Sequence, residues 1–266
     1  MDDTPPWRQV NVTFPDWDRA EQVAAARIAP NLSTANAAWF FIRKHPCWRI
    51  RYQPAEPGTQ AHVERYLDKL AAVGHVTGWT RVVYEPEVHA FGGTQAMGIA
   101  HRLFHADSRC LLSYLRDQPS GGHRRELSLM LCSIMMRAAR QDLFEQGDIW
   151  ARVVGHRKPP PGTSLDRPGP REKIRRLITT DAESQMRDGA PLGCHAGWAA
   201  AYTAAGRELA DHAAAGQLHR GLRDVLAHHM IFAWNRAGLP YMTQSVLAGA
   251  AKTAIFGPDP AVAKAG

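Results

Sequence analysis

Cysteine is scarce: four residues, at 47, 110, 132 and 194 of 266, are too few and too widely spaced for a disulfide framework. They form no C-x-x-C pair and have no His at zinc-ligand spacing, so reduced thiols in a cytoplasmic chain are expected and a structural metal is not. Long apolar runs are missing as well, since none approaches the roughly 20 residues that cross a bilayer. The opening MDDTPPWRQV lacks the basic start and apolar stretch of a secretory signal. No G-x-S-x-G nucleophile elbow, H-E-x-x-H zinc pair, Gly-Lys-Ser/Thr phosphate loop or dinucleotide fingerprint occurs. At 45% hydrophobic and 21% charged residues, the composition excludes a disordered chain, a collagen-like fibre and a coiled coil.

What is in excess is positive charge. Lys and Arg total 32 against 25 Asp and Glu, a formal net charge of +7. Arg dominates and clusters around 43–51, 124–125 and 171–176. This points to an acidic partner (an acidic peptide, an anionic group or nucleic acid) or else to a solvated basic surface. The basic clusters match no nucleic-acid-binding motif, which leaves nucleic acid the weakest of the three.

Strands come first and helices later. WRQVNVTF (Trp7 to Phe14) alternates apolar and polar residues as a strand does, and its edge is a place where a peptide strand could add. Asp16 caps an expected helix to about Arg27, ending before Pro30. Trp39-Phe40-Phe41-Ile42 reads as a buried strand and Pro46 breaks it. Trp48 to Tyr52 resumes with period two, setting Arg49 and Arg51 on one face. A helix over His62–Val73 and a strand over Thr80–Glu85 follow. Next come helices over Thr94–Phe104, interrupted near Asp107, then Arg109–Asp117 and Arg124–Phe144. Residues 155–170, rich in Pro, Gly and basic side chains, read as a loop. The last third is helical: about Arg171–Met186, Gly197–Gly216, Gln217–Asn235 and Met242–Ile255. The expected class is α+β, an N-terminal mixed or antiparallel sheet followed by a mostly helical C-terminal half.

Four constellations carry possible chemistry. Arg43-Lys44-His45 with Arg49 and Arg51 offers guanidinium forks for a carboxylate or phosphate, or else a solvated strand face. Tyr84-Glu85-Pro86-Glu87-Val88-His89-Ala90-Phe91-Gly92-Gly93 ends a strand and opens a helix. Its carboxylates could orient an Arg or accept a proton, and the amides of the helix start could hold an anion. Glu145-Gln146-Gly147-Asp148 is expected at a helix end, paired with Arg. His228-His229-Met230, ahead of Asn235-Arg236 and Gly238, sets two imidazoles on an apolar helix, as satisfied core residues or as a base of lowered pKa. Gly238 has the C-cap role there.

In order and spacing these motifs resemble the C-terminal domain of class I lanthipeptide dehydratases and the related stand-alone thiopeptide-type bacteriocin biosynthesis proteins. The shared elements are Trp39-Phe-Phe-Ile-Arg43, Trp48-Arg-Ile-Arg51, Tyr84-Glu-x-Glu87 with Gly92-Gly93, and His-Met near Asn235-Arg236. The resemblance spans Trp7 to Phe256 and implies a single elimination-like domain over residues 1–266, strand-rich over 1–93 and helical over 94–256. It implies one of two chemistries. One is glutamate elimination from a glutamylated Ser or Thr of a precursor peptide. The other is pyridine synthesis, a formal aza-[4+2] cycloaddition of two dehydroalanines with loss of water and leader peptide. Where eliminating domains carry an Arg that binds the glutamyl group, this chain has Ala90. Loss of one such contact costs roughly 1.5–3 kcal/mol, which favours the cycloaddition. The His-to-Asn-Arg spacing is also longer than in the eliminating domains.

Under this resemblance Arg51, Glu85, Glu87, His229 and Tyr202 are the candidate catalytic residues. Arg43, Arg49, Tyr84, His89, His228, Asn235 and Arg236 are the candidate substrate-binding residues. No cofactor or metal is implied. The implied partner is a ribosomally made precursor peptide with an acidic leader; a partner dehydratase, azoline-forming enzymes and a second copy of the chain are further candidates. No membrane and no nucleic acid is implied. A non-catalytic leader-binding module is the competing class.

Overall fold

The computed structural model describes residues 6–35, 37–118, 120, 122–158, 168–190 and 192–257, with no side-chain detail for 168–171 and 183. The fold is α+β. It comprises two compact units, residues up to Pro86 with His101–Gly122, and Glu87–Ala100 with residues from His123 onward.

The first unit is built on a four-stranded antiparallel sheet of order β2-β3-β1-β4: β1 Arg8–Thr13, β2 Ala38–Lys44, β3 Cys47–Gln53 and β4 Gly78–Val82. β2 and β3 form a hairpin turning at His45-Pro46, whose peptide bond is cis. Strand alternation divides the sheet into two faces. The register sets Phe41, Trp48, Ile50, Val10 and Val12 on one face and Phe40, Ile42, Arg49, Arg51, Gln9 and Asn11 on the other. Helices α1 (Ala20–Val23), α2 (Ala29–Thr34) and α3 (Thr59–Ala72) serve the first face. Glu21 pairs with Arg43 there, and Glu64 takes Arg81 in a two-bond contact of 2.7 Å each. On the second face, ring contacts join Phe40 to His101 and Phe104 of α4 (Thr94–Asp117).

Several expectations change here. β1 lies between β3 and β4, so it has no free edge for an added peptide strand. The helical path from Ala20 does not stop before Pro30. A π-helical turn at Ala24–Ile28 leads into α2, with Pro30 in its first turn, where a missing N–H costs little. α4 is unbroken at Asp107, which is buried with Ser108 rather than exposed in a turn. The Ser108 hydroxyl accepts from the Phe41 amide at 3.4 Å, and His105 Nδ1 meets the Trp39 amide at 2.9 Å. The outer edge of β2 is thereby capped by α4 side chains.

The second unit is helical: α5 Arg124–Ala138, α6 Leu143–His156, α7 Pro168–Thr179, α8 Ala182–Gln185, α9 Ala196–Ala214, α10 Leu222–Arg236 and α11 Tyr241–Phe256. Its core includes Trp150 stacked on Trp234 at 5.6 Å and the buried run Leu127–Met136 of α5. Gly206 lets α9 lie directly on the α5 backbone, since a Cβ there would sit 2.3 Å from the Met135 carbonyl oxygen. The expected single helix over Arg124–Phe144 is two helices. Arg140 takes a positive φ of 59°, and Asp142 then starts α6 with a capping box to Glu145. Glu145 and Asp148 are therefore in the first turns of a helix, where the dipole favours them, and not at its end. Their pairing with Arg is as expected: Glu145 with Arg223 at 2.6 Å, and Asp148 with Arg152 at 3.1 Å and Arg223 at 3.3 Å. The helix expected over Arg171–Met186 is likewise two, α7 and α8. Of the loop expected over 155–170, residues 159–167 lie outside the described residues. Gly238, at a φ of 70°, closes α10 as expected. Among the described residues no helix is long and apolar enough to cross a membrane.

Candidate functional site

Two clusters gather most of the expected residues, one in each unit. The first lies on the second sheet face. Phe40, Arg51 and Gln9 are direct cross-strand neighbours, as are Ile42, Arg49 and Asn11, because the register aligns β2, β3 and β1. Arg51 is buried at 8% exposure, and its Nε donates to Gln9 Oε1 at 2.8 Å. Gln9 Nε2 in turn donates to Asn11 Oδ1 at 3.0 Å. The Arg51 guanidinium lies 4.4 Å from the centre of the Tyr84 ring and 5.4 Å from that of Phe40, in cation–π range. Tyr84 Oη and His101 Nε2 are 2.9 Å apart, and the His101 ring lies 4.5 Å from that of Trp7. Burial, and secondarily the Arg51 charge, push the His101 pKa down to about 4, so its imidazole is neutral at neutral pH. The result is a fixed cation, a phenol and a neutral imidazole on an aromatic platform, a set able to donate hydrogen bonds to an amide oxygen or to a carboxylate. Arg49 shares the face, is half-buried, and its buried Nε has no hydrogen-bond partner among the described residues.

Arg43 does not join this fork. It is opposite Trp48 in the register, on the other sheet face, where it pairs with Glu21 and stacks 4.6 Å from the Trp48 ring centre. Its role there is to tie the hairpin to α1. Glu85 is exposed at the end of the first unit's segment.

In the second unit, Glu87 Oε2 meets His228 Nε2 at 3.1 Å. Phe91 stands edge-on to His228 and His229, each 4.9 Å away. His229 is 1% exposed, and burial, then the Arg236 and His228 charges, lower its pKa to about 3. The His228 side chain keeps 17% of its exposure, which makes it the imidazole of the pair that a ligand can reach. His156, at the end of α6, places its ring 6.5 Å from that of His228. Arg236 is fully buried, and Asn235 accepts from Gln244 Nε2 at 3.0 Å, with Gln244 also accepting from Arg157 Nε at 2.8 Å. Tyr202 is 3% exposed on the packed side of α9, a core position. His89 is exposed. The Gly92-Gly93 amides do not point at an open anion site: they donate within the turn, to His89 and Val88 carbonyls at 3.2 and 2.9 Å.

Gln9, His101, His156 and Arg220 were not singled out by sequence reasoning. Gln9 and Asn11 alternate with Val10 and Val12, which marked them as facing the same way as Arg51 once the register is known. His101, Phe104, His105 and Ser108 recur at helical spacing, the stripe that meets the sheet. Among the described residues no group of three His, Cys, Asp or Glu side chains converges as a metal site requires.

Residues 7–255 match the family model described as "Lantibiotic biosynthesis dehydratase C-term". No curated protein matches the chain. Among solved structures, the tRNA-dependent lantibiotic dehydratase MibB from Microbispora sp. 107891 is similar with a TM-score of 0.69 and 20% identity, over 96% of this chain and 28% of MibB. This chain therefore spans about a quarter of that dehydratase. TsrL is similar with a TM-score of 0.60 and 17% identity, over 96% of this chain and 99% of TsrL. At these identities both likenesses show a shared fold. With the family model matched over nearly the whole chain, the protein belongs to the family of lantibiotic biosynthesis dehydratase C-terminal domains.

Proposed function

We propose that this protein is a pyridine synthase acting on a dehydrated, ribosomally made precursor peptide. It joins two dehydroalanines by a formal aza-[4+2] cycloaddition; loss of water and of the leader peptide as an amide then aromatises the ring. The observation that carries this reading is the sheet-face cluster, Arg51 stacked on a Tyr84 whose hydroxyl meets a neutral His101. Hydrogen bonds from such donors to the reacting amide oxygen favour its iminol-like form. Holding the two dehydroalanines together supplies roughly 7–11 kcal/mol of the barrier when the reacting atoms are close. Ala90, without a side-chain cation, fits a substrate that no longer carries a glutamyl ester. In this reading the whole chain works as one catalytic module in the cytoplasm and binds the acidic leader through its positive charge. A partner dehydratase and azoline-forming enzymes prepare its substrate. Incubation with a bis-dehydroalanine precursor should release a macrocycle and a leader amide, read by mass spectrometry. Unchanged masses across the matching precursor set reject the reading.

A second reading, glutamate elimination in a split dehydratase, is favoured by one observation: Arg49 and Arg51 share a face, and the Arg49 Nε is unsatisfied among the described residues. It requires that Arg51→Ala accumulate a glutamylated peptide; normal dehydration by that variant excludes it.

A further inference from the structure

Within the second unit, the segment just before α10 is laid along the 87–93 turn. The His219 amide donates to the Gly92 carbonyl at 2.9 Å. A Cβ on Gly92 would come within 3.0 Å of Val225 and 3.2 Å of Leu218, and one on Gly93 within 3.1 Å of the His219 ring. Both glycines also have positive φ, 89° and 113°. The Gly-Gly pair is thus a close-packing device that seats residues 218–219 on the turn. The next residue, Arg220, is thereby delivered to it. Its Nη1 donates to the Ala90 carbonyl oxygen at 3.1 Å.

Among the described residues this guanidinium is incompletely used. It has five N–H donors, and the carbonyl takes one. Its carboxylate neighbour is Asp224, at 4.0 Å, and Asp224 is already held by Arg152 at 2.6 Å. The side chain is only 24% exposed, so water does not fully solvate the charge. Arg220, Asp224 and His228 follow at steps of four, along one side of α10 and its approach. His228 stands further along this side, and the His156 ring of α6 lies 6.5 Å from it. Burial first, then the nearby His228, Arg220 and Arg157, lower the His156 pKa, against the opposing charge of Asp224. Glu87, which sits on His228, is a second acid of this corner beside Asp224, with its side chain 53% exposed.

We propose that Arg220 is the anion-recognition residue of this turn, its guanidinium held on the Ala90 carbonyl and its remaining donors open to a carboxylate of the peptide substrate. The inference rests on the reading that a peptide is the substrate, and it commits to a side-chain carboxylate as ligand. That carboxylate belongs to an acidic leader; a glutamyl group carried by the core peptide is the competing source that the test separates.

The test is binding without turnover, so its failure is distinct from failure of the ring-forming reaction. Two probes are titrated into the full chain by NMR: N-acetylglutamate methylamide, and a dodecapeptide with four Glu. The matching Gln compounds serve as controls. The Glu probes should bind at least about tenfold more tightly than their Gln counterparts, about 1.4 kcal/mol, and should shift the His228 and His156 imidazole signals. Arg220→Gln should remove that preference, and Arg220→Lys should retain part of it. Binding of the dodecapeptide alone points to an acidic leader, and binding of both probes to a glutamyl group. No Glu-over-Gln preference, or an Arg220→Gln protein that binds like the parent, overturns the proposal.

Discussion

The half-buried imidazole of His101 gives a quantitative handle on the sheet-face cluster. In the unfolded chain it titrates near 6.5, while in the folded protein burial, and then the Arg51 charge, depress it to about 4. As pH falls below 6.5 the unfolded chain takes up this proton and the folded protein does not. The stability contributed by the neutral His101 is therefore complete above about 6.5 and is lost progressively as pH falls towards 4, below which both states are protonated. At about 1.36 kcal/mol per pH unit, the drop from pH 6.5 to 5 amounts to about 2 kcal/mol, and the whole window to about 3 kcal/mol. His101→Phe removes the titrating group and leaves an aromatic ring among Trp7, Phe40 and Tyr84, its present ring neighbours. Denaturant unfolding of parent and variant, followed by Trp fluorescence at pH 7, 6 and 5, should show the variant starting less stable. The two should then converge by about 1.4 kcal/mol per unit below pH 6.5. Parallel curves across that range refute the argument, because they mean the folded protein accepts the proton as readily as the unfolded chain.

Three further outcomes follow from the packing and caps. Tyr84→Phe deletes the hydroxyl that meets His101 at 2.9 Å and should cost about 1 kcal/mol in unfolding free energy, with a displaced His101 imidazole signal in NMR. Gly206→Ala forces a methyl against the Met135 carbonyl at 2.3 Å and Ala138 Cβ at 2.9 Å; it should destabilise the second unit by about 1–3 kcal/mol, seen as a lower melting temperature. Asp142→Ala removes the capping-box acceptor for the Glu145 amide, at 2.7 Å, and should cost about 1 kcal/mol with the far-UV spectrum of the remaining helices retained.

Residue order alone carried the α+β class, the Trp48–Tyr52 alternation that aligns Arg49 with Arg51, and the stop at Gly238. Each is a local consequence of side-chain period or backbone freedom, so neighbouring residues suffice to reveal it. The helix breaks were harder to read. Asp107 resembles a breaker but is buried on an unbroken helix, and Arg140 adopts a positive φ that nothing in its type advertises. In both cases tertiary contacts outweigh weak local preference.

Tertiary structure alone decided which charged groups meet. Arg43 is only six residues before Arg49 in the chain, yet the hairpin register turns it to the opposite face and onto Glu21. His228 and His229 are adjacent, yet one faces Glu87 and the other is sealed in the core. Arg220 is 130 residues from Ala90 and touches it because two glycines let the segments close. Periodicity is a property of consecutive residues and is written along the chain. The pairing of side chains across strands, helices and turns depends on register and on close approach, which exist only once the chain is folded.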